Sequence, residues 1–244
     1  MPKHTTLHQF SAGLNSLQNN LELPFEHPTQ NNWKVYYDGF TIGATYVDDA
    51  YWLIQANGGG TLVVGGEQSM TMVGDGTVFS GYSLYRKLGD RTLGTSGKKF
   101  YMETSVKYTN ATGGTVPANG IFVGYTSSNE AMTTGASNAL DGGDEALGFG
   151  QVDTDTNISF FSRQDGTNQT ISMGSPFVSG TYTKLQCYYD GSFFNLYRDN
   201  NFISRTAQTK LNADEGMTPQ VYFEAVEAKA NTLDFQYLLF AVEL

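Results

Sequence analysis

The chain has few of the residues that carry common catalytic and stabilising chemistry. Its single cysteine, Cys187, excludes an internal disulfide, and the alternating segment around it predicts a buried thiol. The three histidines, His4, His8 and His27, all lie near the amino terminus, where we expect them at the surface. Since the rest of the chain lacks histidine, neither a Ser-His-Asp triad nor a histidine-based zinc site is expected there.

Basic residues are also scarce, with 14 Lys and Arg against 24 Asp and Glu and a formal net charge of -10. Nucleic-acid binding requires cations that neutralise phosphates, so this balance predicts no nucleic-acid partner. The chain contains no run of about 18 apolar residues, and its amino-terminal segment does not resemble a secretion signal. We therefore expect no membrane partner.

Aromatic residues and glycine are abundant, with 15 Tyr, 16 Phe and 28 Gly. This composition is typical of short strands joined by turns. The clearest example is residues 180–206, where Leu185 and Cys187 alternate with polar neighbours, and this period of two predicts a sheet with one buried face. Asp190 and Gly191 predict a two-residue type I′ hairpin turn, and residues 198–201 predict a second turn.

The same alternation predicts a series of strands and no helix after residue 31. In the last strand it places Tyr237 and Leu239 on the same face as Leu233 and Phe235. The fold class predicted is therefore all-β, a two-sheet antiparallel jelly-roll sandwich that occupies residues 32–244. Besides three strands within residues 180–206, the predicted strands are residues 33–37, 51–56, 61–64, 69–73, 82–88, 100–108, 121–125, 146–152, 157–162, 169–173, 220–226 and 232–242.

Residues 1–31 differ from the rest and are predicted to form a separate amino-terminal arm or amphipathic helix. Apolar residues recur there at intervals of three and four, the spacing of a helix face or coiled-coil seam. Gly13 and several asparagines favour an extended arm instead. In either form the apolar side chains need a cover, so we expect docking on a partner or oligomerisation. The expected docking residues are Leu7, Phe10, Leu14, Leu17, Leu21 and Phe25.

Glycoside hydrolysis is the enzymatic reaction to test first, because many large jelly rolls cleave polysaccharides with two carboxylates on one strand face. The sequence offers Glu224 and Glu227, which are three residues apart and would therefore point to opposite faces of a strand. The Glu-x-Asp-x-x-Glu pattern of jelly-roll glucanases is absent. We therefore predict that the protein is not an enzyme.

Two acidic segments have the composition of calcium loops. Residues 153–157 copy the opening of an EF-hand loop, but Ile158 occupies the position of its glycine and Gln164 that of its last glutamate, which rejects an EF-hand. Residues 141–145 contain three carboxylates that could gather Ca²⁺, and a solvated acidic loop is the alternative. We predict no metal and no cofactor.

Carbohydrate binding requires only an exposed aromatic ring beside a few hydrogen-bonding side chains, and this chain is rich in Tyr, Asn and Asp. For each large aromatic residue the alternative is ordinary packing in the core. The candidate glycan platforms are Trp33, Trp52, Tyr125 and Tyr188.

The order of segments from residue 33 to residue 244 resembles the concanavalin A-like (LamG-like) jelly roll. The resemblance rests on KKFYMETSVKY, NGIFVGYTS and ALGFGQV, then an Asp-Gly hairpin, then TYTKLQCYYDGSFFNLYRDNNFIS. It implies the fold predicted above.

A narrower resemblance is to virion proteins of tailed bacteriophages, through Tyr37-Asp38-Gly39-Phe40 and the strand from Phe100 to Lys107. It implies a capsid decoration (cement) protein that docks through residues 1–31 on the major capsid protein or on other virion proteins. It also implies a homo-oligomer on the virion surface, assembled in the host cytoplasm. The alternative is a lectin-like, carbohydrate-binding module of a head or tail fibre that recognises a cell-surface glycan.

Deletion of residues 2–30 tests the docking prediction. We expect the truncated chain to remain folded by circular dichroism but to lose cosedimentation with capsids, because each anchor contributes roughly 1.5 to 3 kcal/mol when fully buried. The full-length chain is the control. Cosedimentation of the truncated chain at the full-length level would contradict the prediction.

Overall fold

The structure is a computed structural model, and every regular element that it describes is a β-strand. This confirms the predicted all-β class. Among the residues that the structure describes, no helix is long and apolar enough to cross a membrane. The described residues are 33–39, 52–57, 61–64, 69–77, 80–86, 91–92, 98–111, 119–127, 132, 140, 145–152, 155, 157–211 and 216–243.

The described part of the chain contains sixteen strands, and their positions agree closely with the predicted ones. The short strand β6 is the one that alternation did not predict. In chain order the strands are β1 Trp33–Gly39, β2 Trp52–Asn57, β3 Thr61–Val64, β4 Met70–Val73, β5 Ser80–Arg86, β6 Arg91–Thr92, β7 Phe100–Thr109, β8 Asn119–Thr126, β9 Ala146–Gln151, β10 Ser159–Gln164, β11 Thr167–Ser172, β12 Thr181–Tyr189, β13 Phe193–Arg198, β14 Asn201–Ala207, β15 Gly216–Ala225 and β16 Thr232–Glu243.

The strands form two antiparallel sheets of eight strands each. Sheet A has the order β14-β13-β12-β7-β16-β4-β3, and β1 pairs with β16 beside β4. Sheet B has the order β11-β10-β9-β8-β15-β5-β2, and β6 pairs with β15. The last strand, β16, therefore lies inside sheet A, as its apolar residues on both faces predicted.

The core lies between the inner faces of the two sheets. Phe160 of sheet B meets Phe194 of sheet A with ring centroids 5.0 Å apart, and Tyr125 of sheet B meets Phe240 of sheet A at 4.8 Å. Aromatic pairs at such distances contribute about 0.5 to 1.5 kcal/mol beyond their buried area. These contacts fix which face of each strand points inward.

A bulge in β16 corrects the predicted alternation of this strand. The register with β7 shifts between Phe235 and Tyr237, so the inward side passes from Phe235 to Leu238 and Phe240. The prediction that Tyr237 and Leu239 share a face with Phe235 was wrong. One extra residue in a strand moves every later side chain to the opposite face.

The turn between β12 and β13 also differs from its prediction. Only Gly191 has a positive φ there, at 98°, and the Oδ1 atom of Asp190 accepts the backbone N–H of Phe193 at 2.8 Å. The backbone N–H of Asp190 donates to the carbonyl of Phe193 at 3.2 Å, so Gly191 and Ser192 form a two-residue turn with a single positive φ. It replaces the predicted type I′ turn at Asp190 and Gly191. Two consecutive positive φ angles, as in type I′ turns, occur instead at residues 165–166, with 48° and 69°, and at residues 199–200, with 51° and 67°.

The thiol of Cys187 supplies a test of this core. It is fully buried, and burial raises its pKa well above the ordinary value. Because only the thiolate reacts readily with disulfide reagents, we expect no labelling of the native chain by Ellman's reagent at mildly alkaline pH. The chain unfolded in guanidinium should release one equivalent, and equal labelling of the native chain would place Cys187 outside the core.

Candidate functional site

The outer face of sheet A, which points away from the core, is rich in aromatic side chains. An outer sheet face that meets solvent ordinarily carries polar residues. Phe202 is 58% exposed and Phe193 is 36% exposed, whereas Tyr188 is half-buried. The aromatic residues at outward positions are Tyr101 of β7, Tyr182 and Tyr188 of β12, Phe193 and Tyr197 of β13, Phe202 of β14 and Tyr237 of β16.

The strand registers arrange this face into rows, because paired residues of neighbouring strands share a face. Both rows run from the edge strand β14 to β16. Each row brings aromatic side chains next to hydrogen-bonding ones. The first row is Phe202, Tyr197, Gln186, Glu103 and Leu239, and the second is Arg205, Asn195, Tyr188, Tyr101 and Ala241.

Glu103 of the first row accepts hydrogen bonds from several side chains of this face. Its side chain is only 1% exposed, and it accepts hydrogen bonds of 2.5 Å from the hydroxyls of both Tyr101 and Tyr237. Nε2 of Gln186 donates to the same carboxylate at 3.0 Å, and Nζ of Lys184 lies 3.9 Å away. Hydrogen bonds to a charged acceptor are about twice as strong as neutral ones, so this carboxylate fixes the orientation of two tyrosine rings.

The same contacts change the acidity of Tyr101. Burial raises the pKa of this phenol well above its ordinary value, and the negative charge of Glu103 raises it further. Tyr101 therefore remains a neutral hydrogen-bond donor at physiological pH.

A polar cluster borders the aromatic rows at the turn after β12. Nη2 of Arg205 lies 3.0 Å from Oδ2 of Asp190, and its guanidinium stands 4.2 Å from the ring centroid of Phe193. Asn195 donates from Nδ2 to the carbonyl of Tyr188 at 3.1 Å. Hydrogen-bonding groups thus lie next to exposed aromatic rings, and most of these groups are on strands.

The pKa of Asp190 reflects this position. Burial opposes ionisation of the carboxyl group, but this effect is outweighed by hydrogen bonds from the backbone N–H groups of Phe193 and Ser192, with further contributions from Asn195 and Arg205. The pKa of Asp190 consequently lies below its ordinary value, and the group is a carboxylate at neutral pH.

The four predicted glycan platforms occupy different environments. Tyr188 lies on the outer face just described. Tyr125 is in the core at 1% exposure, packed on Phe240, so its ring is not presented at a surface. Trp33 pairs with Glu243 and Trp52 pairs with Arg86 in their sheets, but their side chains lie outside the described residues.

The remaining predicted sites lie largely outside the described residues. This holds for all six predicted docking residues, Leu7 to Phe25, and for Asp141, Asp144 and Asp153. Of the described acidic residues, Glu145 accepts the backbone N–H of Asp165 at 3.1 Å, and Asp155 accepts that of Asn157 at 3.0 Å. The described part of the chain contains no group of three His, Cys, Asp or Glu residues that could hold a metal ion.

An apolar cluster covers part of the outer face of sheet B. Met132 and Leu140, from the segment between β8 and β9, pack with Phe122, Phe161 and Tyr222 of the sheet. All five side chains are fully buried. This part of the face is therefore closed by the chain itself.

Two glycines make room for this cluster. A Cβ atom on Gly124 or on Gly148 would come within 2.8 Å of the Cζ atom of Phe122, and still closer to the backbone of the adjacent strand. Glycine is required at both positions so that the ring can lie against the sheet.

The two glutamates considered for catalysis are also separated. Glu224 lies in β15 on the outer face of sheet B, where it is 6% exposed and accepts the hydroxyl of Tyr222. Glu227 follows the end of β15 and forms an ion pair with Lys229.

Sequence reasoning identified Tyr188 but missed Phe202, Arg205 and Glu103. A signal was present for Phe193 and Tyr197, which contact Arg205 and Phe202. Phe194 and Leu196 define the inward side of β13, so Phe193 and Tyr197 had to face outward, where aromatic rings are unusual. The role of Glu103 had no local signal, because Gln186 and Tyr237, which bind the same carboxylate as Tyr101, come from other strands.

No family model and no curated protein sequence matches the chain. Among solved structures, the endo-1,3-beta-glucanase from Streptomyces sioyaensis is similar with a TM-score of 0.60 and 11% identity, over 89% of this chain and 99% of that chain. Peanut lectin has a TM-score of 0.58 and 16% identity, over 86% and 97%. The carbohydrate recognition domain of Emp47p has a TM-score of 0.57 and 14% identity, over 87% and 98%.

These similarities establish a concanavalin A-like, legume-lectin-like β-sandwich and, at such identities, the fold alone. They correct the prediction that the protein is not an enzyme, because a glucanase shares this architecture. That prediction, which was made from the separated glutamates and the absent Glu-x-Asp-x-x-Glu pattern, was wrong. None of the three proteins named above is described as a virion protein, so the virion role stays a prediction.

Replacement of Glu103 by Gln tests its role on the outer face of sheet A. Glutamine keeps the shape but removes the charge and one acceptor, so we expect a loss of about 1 to 3 kcal/mol in the free energy of unfolding, measured with urea. The matched control is Glu227→Gln, at an exposed ion pair, for which we expect a change below about 0.5 kcal/mol. Equal effects of the two substitutions would contradict the role assigned to Glu103.

Proposed function

We propose that the chain binds carbohydrate on the outer face of sheet A. Phe202 and Tyr188 are the rings on which a sugar stacks, and Asp190, Asn195 and Arg205 are the groups that bind its hydroxyls. One observation supports the proposal. Exposed aromatic rings lie next to a polar cluster on the side of sheet A that points away from the core.

The chemistry of sugars explains why this combination fits. One face of a pyranose ring presents C–H groups, which pack well on an aromatic ring, while the hydroxyls at its edge need hydrogen-bond partners. Phe202 meets Tyr197 edge to face, with ring centroids 5.5 Å apart, which leaves Phe202 exposed and supported from one side. A supported ring loses little conformational freedom when a ligand stacks on it.

Rigidity of the surroundings favours the same interpretation. Most of the proposed binding residues lie on β12, β13 and β14, and the hydrogen bond from Tyr101 to Glu103 links the second row to the first. Binding groups on regular elements are positioned more accurately than groups on loops. Two of the proteins with this fold, peanut lectin and the Emp47p domain, are described as a lectin and a carbohydrate recognition domain, which supports the proposal at the level of the fold.

A place in a virion is compatible with this function. In that case the sandwich would be the binding module of a fibre or decoration protein, and residues 1–31 would supply the attachment to capsid proteins. The deletion of residues 2–30 tests this attachment independently of sugar binding.

Binding of the full chain to a glycan array, followed by titration calorimetry with the best glycan, tests the proposal. We expect Phe202→Ala and Tyr188→Ala each to weaken binding about tenfold, because loss of a well-packed aromatic contact costs more than about 1 kcal/mol. The matched control is Val178→Ala, which truncates a side chain that is 60% exposed and precedes β12. An array with no bound glycan, or unchanged affinity of the two aromatic variants, would overturn the proposal.

A further inference from the structure

We infer that the outer face of sheet A takes uncharged glycans and discriminates against sulfated or carboxylated ones. The inference rests on the proposed function and narrows its ligand class. The evidence for this inference is that the described cations of this face form ion pairs with carboxylates.

Each described cation at an outward position of β7, β12 or β14 already faces a carboxylate. Nζ of Lys107 lies 2.8 Å from Oδ2 of Asp234, and Nζ of Lys184 lies 3.9 Å from Oε1 of Glu103. Arg205 is paired with Asp190 at 3.0 Å. Among the described outward side chains of these three strands, each positive charge is therefore paired with a negative one.

Two of these carboxylates are also largely buried. The side chain of Glu103 is 1% exposed and that of Asp234 is 11% exposed. An anionic sugar that approached Lys184 or Lys107 would leave a buried carboxylate without its cation, which is strongly unfavourable. The net charge of -10 adds a long-range repulsion of anionic polymers at low ionic strength.

The Asp190–Arg205 pair is instead suited to neutral hydroxyls. The side chain of Arg205 is 54% exposed and its guanidinium donates one hydrogen bond, to Asp190, so its other N–H groups can donate to a sugar. Oδ2 of Asp190 can accept from a neighbouring hydroxyl, while Oδ1 is engaged by the turn backbone. One donor and one acceptor side by side match two adjacent sugar hydroxyls.

The experiment compares matched neutral and anionic polymers with the full chain. The probes are three neutral polymers, a dextran, a galactan and a β-1,3-glucan, each paired with its sulfated derivative and measured at low and at high salt. We expect the neutral member of a bound pair to bind at least about tenfold more tightly, with less than about a twofold change with salt. Tighter binding of the sulfated member that weakens with salt would overturn this inference alone. Failure of every neutral and sulfated polymer and of the glycan array would overturn the proposed function.

The substitution Asp190→Asn provides the second arm. Asparagine keeps the oxygen that holds the turn but releases the charge of Arg205, so we expect affinity for the sulfated member to rise about tenfold at low salt. Asp165→Asn makes the same change of net charge at an exposed residue of the turn between β10 and β11 in sheet B, and it serves as the control with no such rise expected. Equal behaviour of the two variants would overturn the inference.

Discussion

The sandwich depends on aromatic rings that meet across the gap between its sheets. The contacts of Phe160 with Phe194 and of Tyr125 with Phe240 join the two inner faces. Because a strand alternates its side chains, fixing the inward residues of β12, β13 and β16 also fixes the outward ones. The aromatic and polar rows on the outer face of sheet A therefore follow from how the core is packed.

The buried carboxylate of Glu103 connects this packing to the proposed function. Burying a charge is costly unless it is well hydrogen-bonded, and here two tyrosine hydroxyls and an amide satisfy it. The same bonds hold Tyr101 beside Tyr188, which forms part of the proposed site. Glu103 thus both stabilises the sheet and orients side chains of the surface on which we propose that sugars stack.

The two outer faces of the sandwich differ in what they offer to a ligand. On sheet B, Met132 and Leu140 cover an apolar cluster, and Gly124 and Gly148 accommodate the ring beneath them. On sheet A, Phe202 and Arg205 remain exposed beside one another on the edge strand. Since glucanases and lectins share this architecture, function has to be argued from such local differences and not from the fold.

The sequence by itself determined the strands, the inward side of most of them and the buried thiol, because a period of two is a local property of the chain. It also identified Tyr188 as a surface candidate. It failed at the β16 bulge and at the turn after Tyr189, where one residue changes the geometry. Only the tertiary structure decided that Tyr125 is in the core and that Glu103 joins Tyr101, Gln186 and Tyr237. Gln186 and Tyr237 come from strands far from Glu103 in the chain, and no local pattern encodes which strands become neighbours.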